Sequence, residues 1–150
     1  MYKLMAILIT LFILTCLCAS GRDPKLLNMR SDYRIYTYAP VTDDCIIDRF
    51  SGERILTVSS DRLTETLVGL GDYTSYETRI IGDERTARNA IQSLGGRIVK
   101  QENRDTGITF YAYSPRFRHS VRVDGETVNL HVVVSGDTMT IASPIIRGCC

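Results

Sequence analysis

The chain has 150 residues, with 18 basic and 17 acidic side chains and a hydrophobic share of 44%. A formal net charge of +1 excludes the broad basic surplus that non-specific attraction to nucleic acid or to an anionic membrane face requires. One domain of this length buries enough surface to fold without disulfide or metal staples.

Residues 1–20, MYKLMAILITLFILTCLCAS, carry one charge, Lys3, followed by an apolar run from Leu4 to Leu17 and then small residues. This pattern reads as an export signal, with cleavage after Ala19 or Ser20. The run is shorter than the ~20 residues that span a bilayer comfortably, so an intact anchor over residues 4–17 is the first alternative. A lipid-modified Cys16 is the second, and Thr15 argues against it because a small Gly or Ala is expected there. The expected location is therefore secreted or extracytoplasmic, with membrane contact only through this segment. Removing it takes away Lys3 and no acid, leaving 17 acidic residues balanced by as many basic ones. Cys16 and Cys18 leave with it, and Cys45, Cys149 and Cys150 remain. An odd set of three does not form a disulfide framework.

Residues 21–31 read as a linker, and 32–150 as a single domain. DYRIYTYAP alternates between Asp32 and Pro40 and predicts a strand. CIIDRF and ERILTVSS flank Ser51-Gly52 and predict two more. Leu63, Leu67 and Leu70 recur at helical spacing before Gly71, which predicts a short helix with a glycine stop. SYETRII predicts a strand. Asp83 can cap a helix over ERTARNAIQSL, whose Ala87, Ala90, Ile91 and Leu94 form one stripe. GRIVKQE and GITFYAYS are separated by Asn103-Arg104-Asp105-Thr106, a predicted hairpin loop. Asp124-Gly125 is a tight-turn pair joining HSVRV to ETVNLHVVVS, and Ser135-Gly136-Asp137 turns that strand into TMTIASPII. A helix buries its stripe only across a sheet face, so the expected class is α+β, an antiparallel sheet with helices packed on one face. The basic run RFRHSVR at 116–122 reads as a solvated loop or edge.

Period-two alternation separates Val128, Leu130, Val132 and Val134 from Thr127, Asn129, His131 and Val133. In the preceding strand it separates Phe110 and Ala112 from Tyr111 and Tyr113. The apolar set belongs against the helix, because burying one unpaired amide costs roughly 1–3 kcal/mol, about what a core Val or Leu gains. Tyr111, Tyr113, Asn129 and His131 are thus expected together on the opposite, open face. That face is the candidate binding surface, since tyrosine combines a rigid area with a polar tip. The alternative is that it packs beneath the first half of the chain, its polar groups bonding inside.

LGGRIV, FYAYSP, GETVNLHVVV and TIASPIIRG resemble the C-terminal half of the YwmB family, over about 65 residues, 83–148. The matching positions are Gly95-Gly96-Arg97, Tyr113-Ser114-Pro115, Asn129-Leu130-His131-Val132-Val133 and Ala142-Ser143-Pro144-Ile145-Ile146. His131 stands where the family has Gln, and Cys149-Cys150 stand in place of a polar or aromatic end. The resemblance implies an exported or membrane-anchored protein of the Gram-positive cell envelope. It also implies a fold like the TATA-box-binding protein, a curved antiparallel sheet with helices on its convex side. The family has no established activity to carry over, and no cofactor is expected. Nucleic acid is not an expected partner, because saddle recognition of DNA needs basic residues and wedge aromatics in a compartment that holds DNA.

Catalytic signatures are lacking: the only histidines are His119 and His131, and no Gly-x-Ser-x-Gly elbow, phosphate loop, HExxH or Cys-x-x-Cys occurs. The expected function is a non-catalytic binding or regulatory module with an unidentified envelope partner. Two alternatives stand beside it. One is a metal- or thiol-dependent protein using Cys149, Cys150 and His131, or a disulfide from that pair to Cys45 or another chain. The other is a structural domain that self-associates into a homo-oligomer.

Overall fold

A computed structural model of the chain describes residues 24–27, 29–41, 45–48 and 51–147. The expected export signal and Cys149 and Cys150 lie outside these residues. Alternation in DYRIYT builds β1 (Asp32–Thr37), burying Tyr33 and Ile35 and exposing Asp32 and Arg34. Two strands follow, β2 (Ile46–Ile47) and β3 (Arg54–Ser59), then α1 (Leu63–Leu70), β4 (Ser75–Ile81) and α2 (Glu84–Ser93). The chain continues through β5 (Arg97–Arg104), β6 (Gly107–Tyr113), β7 (Val121–Val123), β8 (Glu126–Val128), β9 (Leu130–Ser135) and β10 (Thr138–Ser143).

Eight strands form one sheet in the order β2-β3-β1-β4-β10-β9-β6-β5, and every neighbouring pair is antiparallel. β7 and β8 make a separate hairpin. The protein is therefore α+β, with a large antiparallel sheet and two helices among the described residues. The β4–β10 ladder, from Thr138 opposite Ile81 to Ser143 opposite Tyr76, joins the two halves of the chain.

Local chemistry sets the helix ends. The Asp83 carboxylate accepts from the Thr86 amide at 2.8 Å and the Thr86 hydroxyl at 2.7 Å, closing the first turn of α2. These bonds hold the Asp83 carboxyl below its ordinary range. Gly71 ends α1 at φ +68°, its amide donating to the Leu67 carbonyl at 3.3 Å. Leu63 and Leu67 of α1 and Ala87, Ala90 and Ile91 of α2 join one apolar cluster with Ile35, Leu56, Phe110, Leu130, Val132, Met139 and Ile141. At the margin of that cluster Arg88 lies over the Phe110 ring at 4.8 Å while bonding Glu84 and Gln101.

Three expectations are corrected. Residues 24–27, read as part of a linker, pack on the domain. Leu26 is fully buried, the Tyr76 hydroxyl donates to the Pro24 carbonyl at 2.8 Å, and the Leu27 amide donates to the Tyr33 hydroxyl at 3.2 Å. Burying a leucine completely is worth about 2 kcal/mol, which outweighs the polar composition that suggested a tether. The predicted loop 103–106 shrinks to Asp105-Thr106, because Asn103 and Arg104 pair with Ile108 and Gly107. Finally, the single strand expected through ETVNLHVVVS breaks at Asn129. Val128 ends β8 opposite Val121, and Leu130 starts β9 opposite Ala112.

Candidate functional site

Residues directly opposite one another across antiparallel strands project from the same face. One row therefore runs Thr57, Arg34, Glu77, Ala142, His131, Tyr111, Lys100 across β3, β1, β4, β10, β9, β6 and β5. A neighbouring row carries Arg79, Thr140, Val133, Thr109 and Glu102. The other face supplies Ile35, Leu56, Phe110, Val132 and Ile141 to the core. From β3 to β5 this side of the sheet is mostly polar, while its β2 edge carries Ile46 opposite Ile55.

Two of the four expected surface residues meet on that side. Tyr111 and His131 stack with ring centroids 4.8 Å apart and planes 7° from parallel, and Lys100 lies 5.6 Å from the Tyr111 centroid. Both rings are nevertheless buried, at 9% and 7% exposure. Lys100 is held by Asp124 and Glu102, which raise its pKa. Tyr113 sits at the end of the same strand, half-buried, with the Arg97 guanidinium 5.9 Å from its ring centroid.

Asn129 is the exception and corrects the open-face assignment. It lies at the β8–β9 break, 1% exposed, and its amide is fully engaged. Its carbonyl oxygen accepts from the Ser114 amide at 2.7 Å, and its nitrogen donates to the carbonyls of Ser114 at 2.7 Å and Phe117 at 3.4 Å. Ser114 in turn donates its hydroxyl to the Leu94 carbonyl at the end of α2. Asn129 ties the 114–117 loop to the sheet and presents nothing to solvent. Alternation placed it beside His131 only because the bend between Val128 and Leu130 is invisible in the pattern.

What covers His131 is the segment after β10, residues 144–147. The Ile145 carbonyl accepts from the Ser75 hydroxyl at 2.6 Å, and the Ile146 amide donates to His131 Nδ1 at 3.1 Å. The Arg147 amide donates to Glu77 Oε2 at 3.2 Å, and its guanidinium donates to Glu53 Oε1 at 3.3 Å. Glu53 and Glu77 are buried at 5% and 6% exposure, so the segment supplies donors that their charge requires. Thr74 bonds Glu53 as well, and the Tyr36 hydroxyl donates to Glu77 Oε1 at 2.9 Å. Burial first, and then the Glu77 carboxylate, push the Tyr36 phenol up to about 12.

Glu53, Glu77, Ser75, Tyr36 and Arg147 were not expected as site residues. The alternation of SYETRII and DYRIYT, with Ser75, Glu77, Arg34 and Tyr36 on the side opposite Tyr76 and Ile35, was the signal that could have found most of them. Beside this covered patch a polar depression of about 350 Å³ stays open, lined by Asp32, Arg34, Thr57, Glu77, Thr78 and Arg79. Arg34, Thr57 and Arg79 are exposed there.

His131 is the electrostatically unusual group. Because Nδ1 accepts from Ile146, the neutral ring carries its proton on Nε2, which is buried with no partner among the described residues. An unsatisfied buried donor costs about 1–3 kcal/mol. Burial dominates and pushes the imidazole down to about 4, with Glu102 opposing and Arg104 reinforcing. The stacked Tyr111 and, through the Arg147 amide, Glu77 complete its surroundings. A folded pKa below the unfolded value of 6.5 means that the unfolded chain takes up the proton first as pH falls. This stabilisation is complete above pH 6.5 and disappears as pH drops through about 4. Denaturant titrations at pH 7 and pH 4.5 are expected to differ by about 2–3 kcal/mol from this group. His131→Gln should remove most of that difference, and an unchanged pH slope in the variant would show that His131 is not its source.

Cys45 is a free thiol, half-buried against the apolar cluster. Cys149 and Cys150, which the thiol and metal alternatives need, lie outside the described residues. Among the described residues no group of three or more His, Cys, Asp or Glu side chains is arranged to hold a metal ion, and no helix is long and apolar enough to cross a membrane. No protein-family model matches the chain, and neither a curated protein nor a solved structure matches it.

Proposed function

We propose that the chain is an exported, envelope-associated binding or regulatory module of the YwmB type, acting without catalysis through the polar face of its sheet. The observation that carries this reading is the division of the eight-stranded sheet. One face feeds a single apolar cluster, while the reverse carries an open depression lined by Arg34, Thr57, Glu77 and Arg79, beside the covered Tyr111–His131 stack. Arg34, Thr57 and Arg79 stand exposed at that depression and are available for contact. The shared cluster of α1 and α2 supports placing both helices on the apolar face. Helices on one side of a wide antiparallel sheet suit the saddle-like, TATA-box-binding-protein-like architecture that the family resemblance implies. The export signal and Gram-positive envelope setting rest on residues 1–20 and on that resemblance. Near-neutral charge supports a protein or small envelope ligand over nucleic acid.

Affinity capture from envelope fractions tests the reading. Arg34→Ala/Arg79→Ala alters two exposed residues and leaves the core intact, so it is expected to fold normally and to lose the companions that the wild-type chain recovers. Equal recovery by both proteins would remove the polar face from the function.

A further inference from the structure

The segment after β10 behaves as a bound peptide. It belongs to no strand, and three of its four polar contacts use its own backbone: the Ile145 carbonyl to Ser75, the Ile146 amide to His131, and the Arg147 amide to Glu77. Bonds made to a peptide's main chain do not depend on its sequence, so its side chains set specificity. Two side chains do so here. Ile146 is buried at 8% exposure, and the Arg147 guanidinium meets the buried Glu53 carboxylate. The receiving groups come from β4, β9 and the residue before β3, so they are assembled by the tertiary fold around one tripeptide. The occupant also leaves the buried His131 Nε2 donor without an acceptor among the described residues.

We propose that the site holding residues 145–147 is a binding site for a short peptide of a partner protein, an aliphatic residue followed by a basic one. The chain's own Ile145–Arg147 segment fills it when that partner is absent. This inference rests on the polar-face reading and names the partner chemistry for its covered part. A partner of matching sequence displaces the segment and recovers the same three main-chain bonds and the Glu53 ion pair.

The test uses the full chain and a fluorescent Ser-Pro-Ile-Ile-Arg-Gly peptide, with the same peptide carrying Glu for Arg as comparison. Arg147→Glu sets the chain's own segment against Glu53 and Glu77, freeing the site. Fluorescence anisotropy is expected to show at least tenfold tighter binding to Arg147→Glu than to the wild-type chain, and none of the Glu peptide by either. Ile146→Ser, a milder loosening, should rank between them. Should both variants misfold, hydrogen exchange on the wild-type chain decides: excess peptide is expected to speed exchange at the Ile146 and Arg147 amides. Indifference to the peptide's charge, or unchanged exchange, overturns the proposal. So does a concentration-dependent wild-type dimer abolished by Arg147→Glu, which would give the site to a second copy's segment. If the peptide fails while Arg34→Ala/Arg79→Ala still loses its companions, the peptide site falls and the polar-face function stands. If that pair also recovers every companion, both fall.

Discussion

Gly107→Ala is expected to be the most damaging small substitution in the domain, removing at least about 4 kcal/mol of stability. Gly107 opens β6 at φ +147°, a conformation that side chains rarely adopt, and an added Cβ would lie 1.9 Å from the Val134 carbonyl oxygen. That oxygen belongs to β9, the strand against which β6 pairs Ile108 with Val134 and Phe110 with Val132. Neither strand can retreat without opening the β6–β9 ladder and the core face it carries. Gly136→Ala is the matched control. It also has positive φ, +60°, but nothing lies within 4 Å of its added Cβ, so only the backbone cost of about 1 kcal/mol is expected. Chemical denaturation of the two variants checks the difference. Comparable losses would mean that β6 and β9 do not approach as closely as this register requires.

Asn129→Ala is expected to cost about 3–5 kcal/mol, more than an ordinary surface amide by several-fold. The substitution strips a partner from the Ser114 amide and from the Ser114 and Phe117 carbonyls, all in a buried setting. Each deserted buried group carries its own desolvation penalty. Asn129→Asp separates the contributions. Its carboxylate can still accept from the Ser114 amide, but it faces the two carbonyls without a donor, so stability should fall sharply as the acid ionises. A denaturation midpoint for Asn129→Ala within error of the wild type would place this side chain in solvent, where the alternation of its strand had put it.

Most of the second half of the chain was legible because its signals are local. Asp83 capping α2, the stripe Ala87, Ala90 and Ile91, and the Asp124-Gly125 turn at φ +48° and +86° each depend on a few neighbouring residues. The same holds for the two faces of β6 and β9, where Phe110 and Val132 oppose Tyr111 and His131. Asn129 was misplaced because period-two reasoning assumes an unbroken strand, and its break is stabilised from the 114–117 loop, which is distant in sequence.

The amino-acid sequence by itself determined the α+β class, the helix ends and the existence of a polar and an apolar side to the sheet, since alternation and capping act over a turn or a strand. Only the tertiary structure decided what that polar side looks like. It brought Glu53 before β3, Ser75 and Glu77 of β4 and His131 of β9 to the same tripeptide, sequence separations of up to 94 residues bridged by four hydrogen bonds. It also buried the imidazole and Tyr111 that a strand pattern would leave in water. Long-range pairing of this kind leaves no periodic trace, because each partner is chosen by where the sheet carries it and not by its neighbours in the chain.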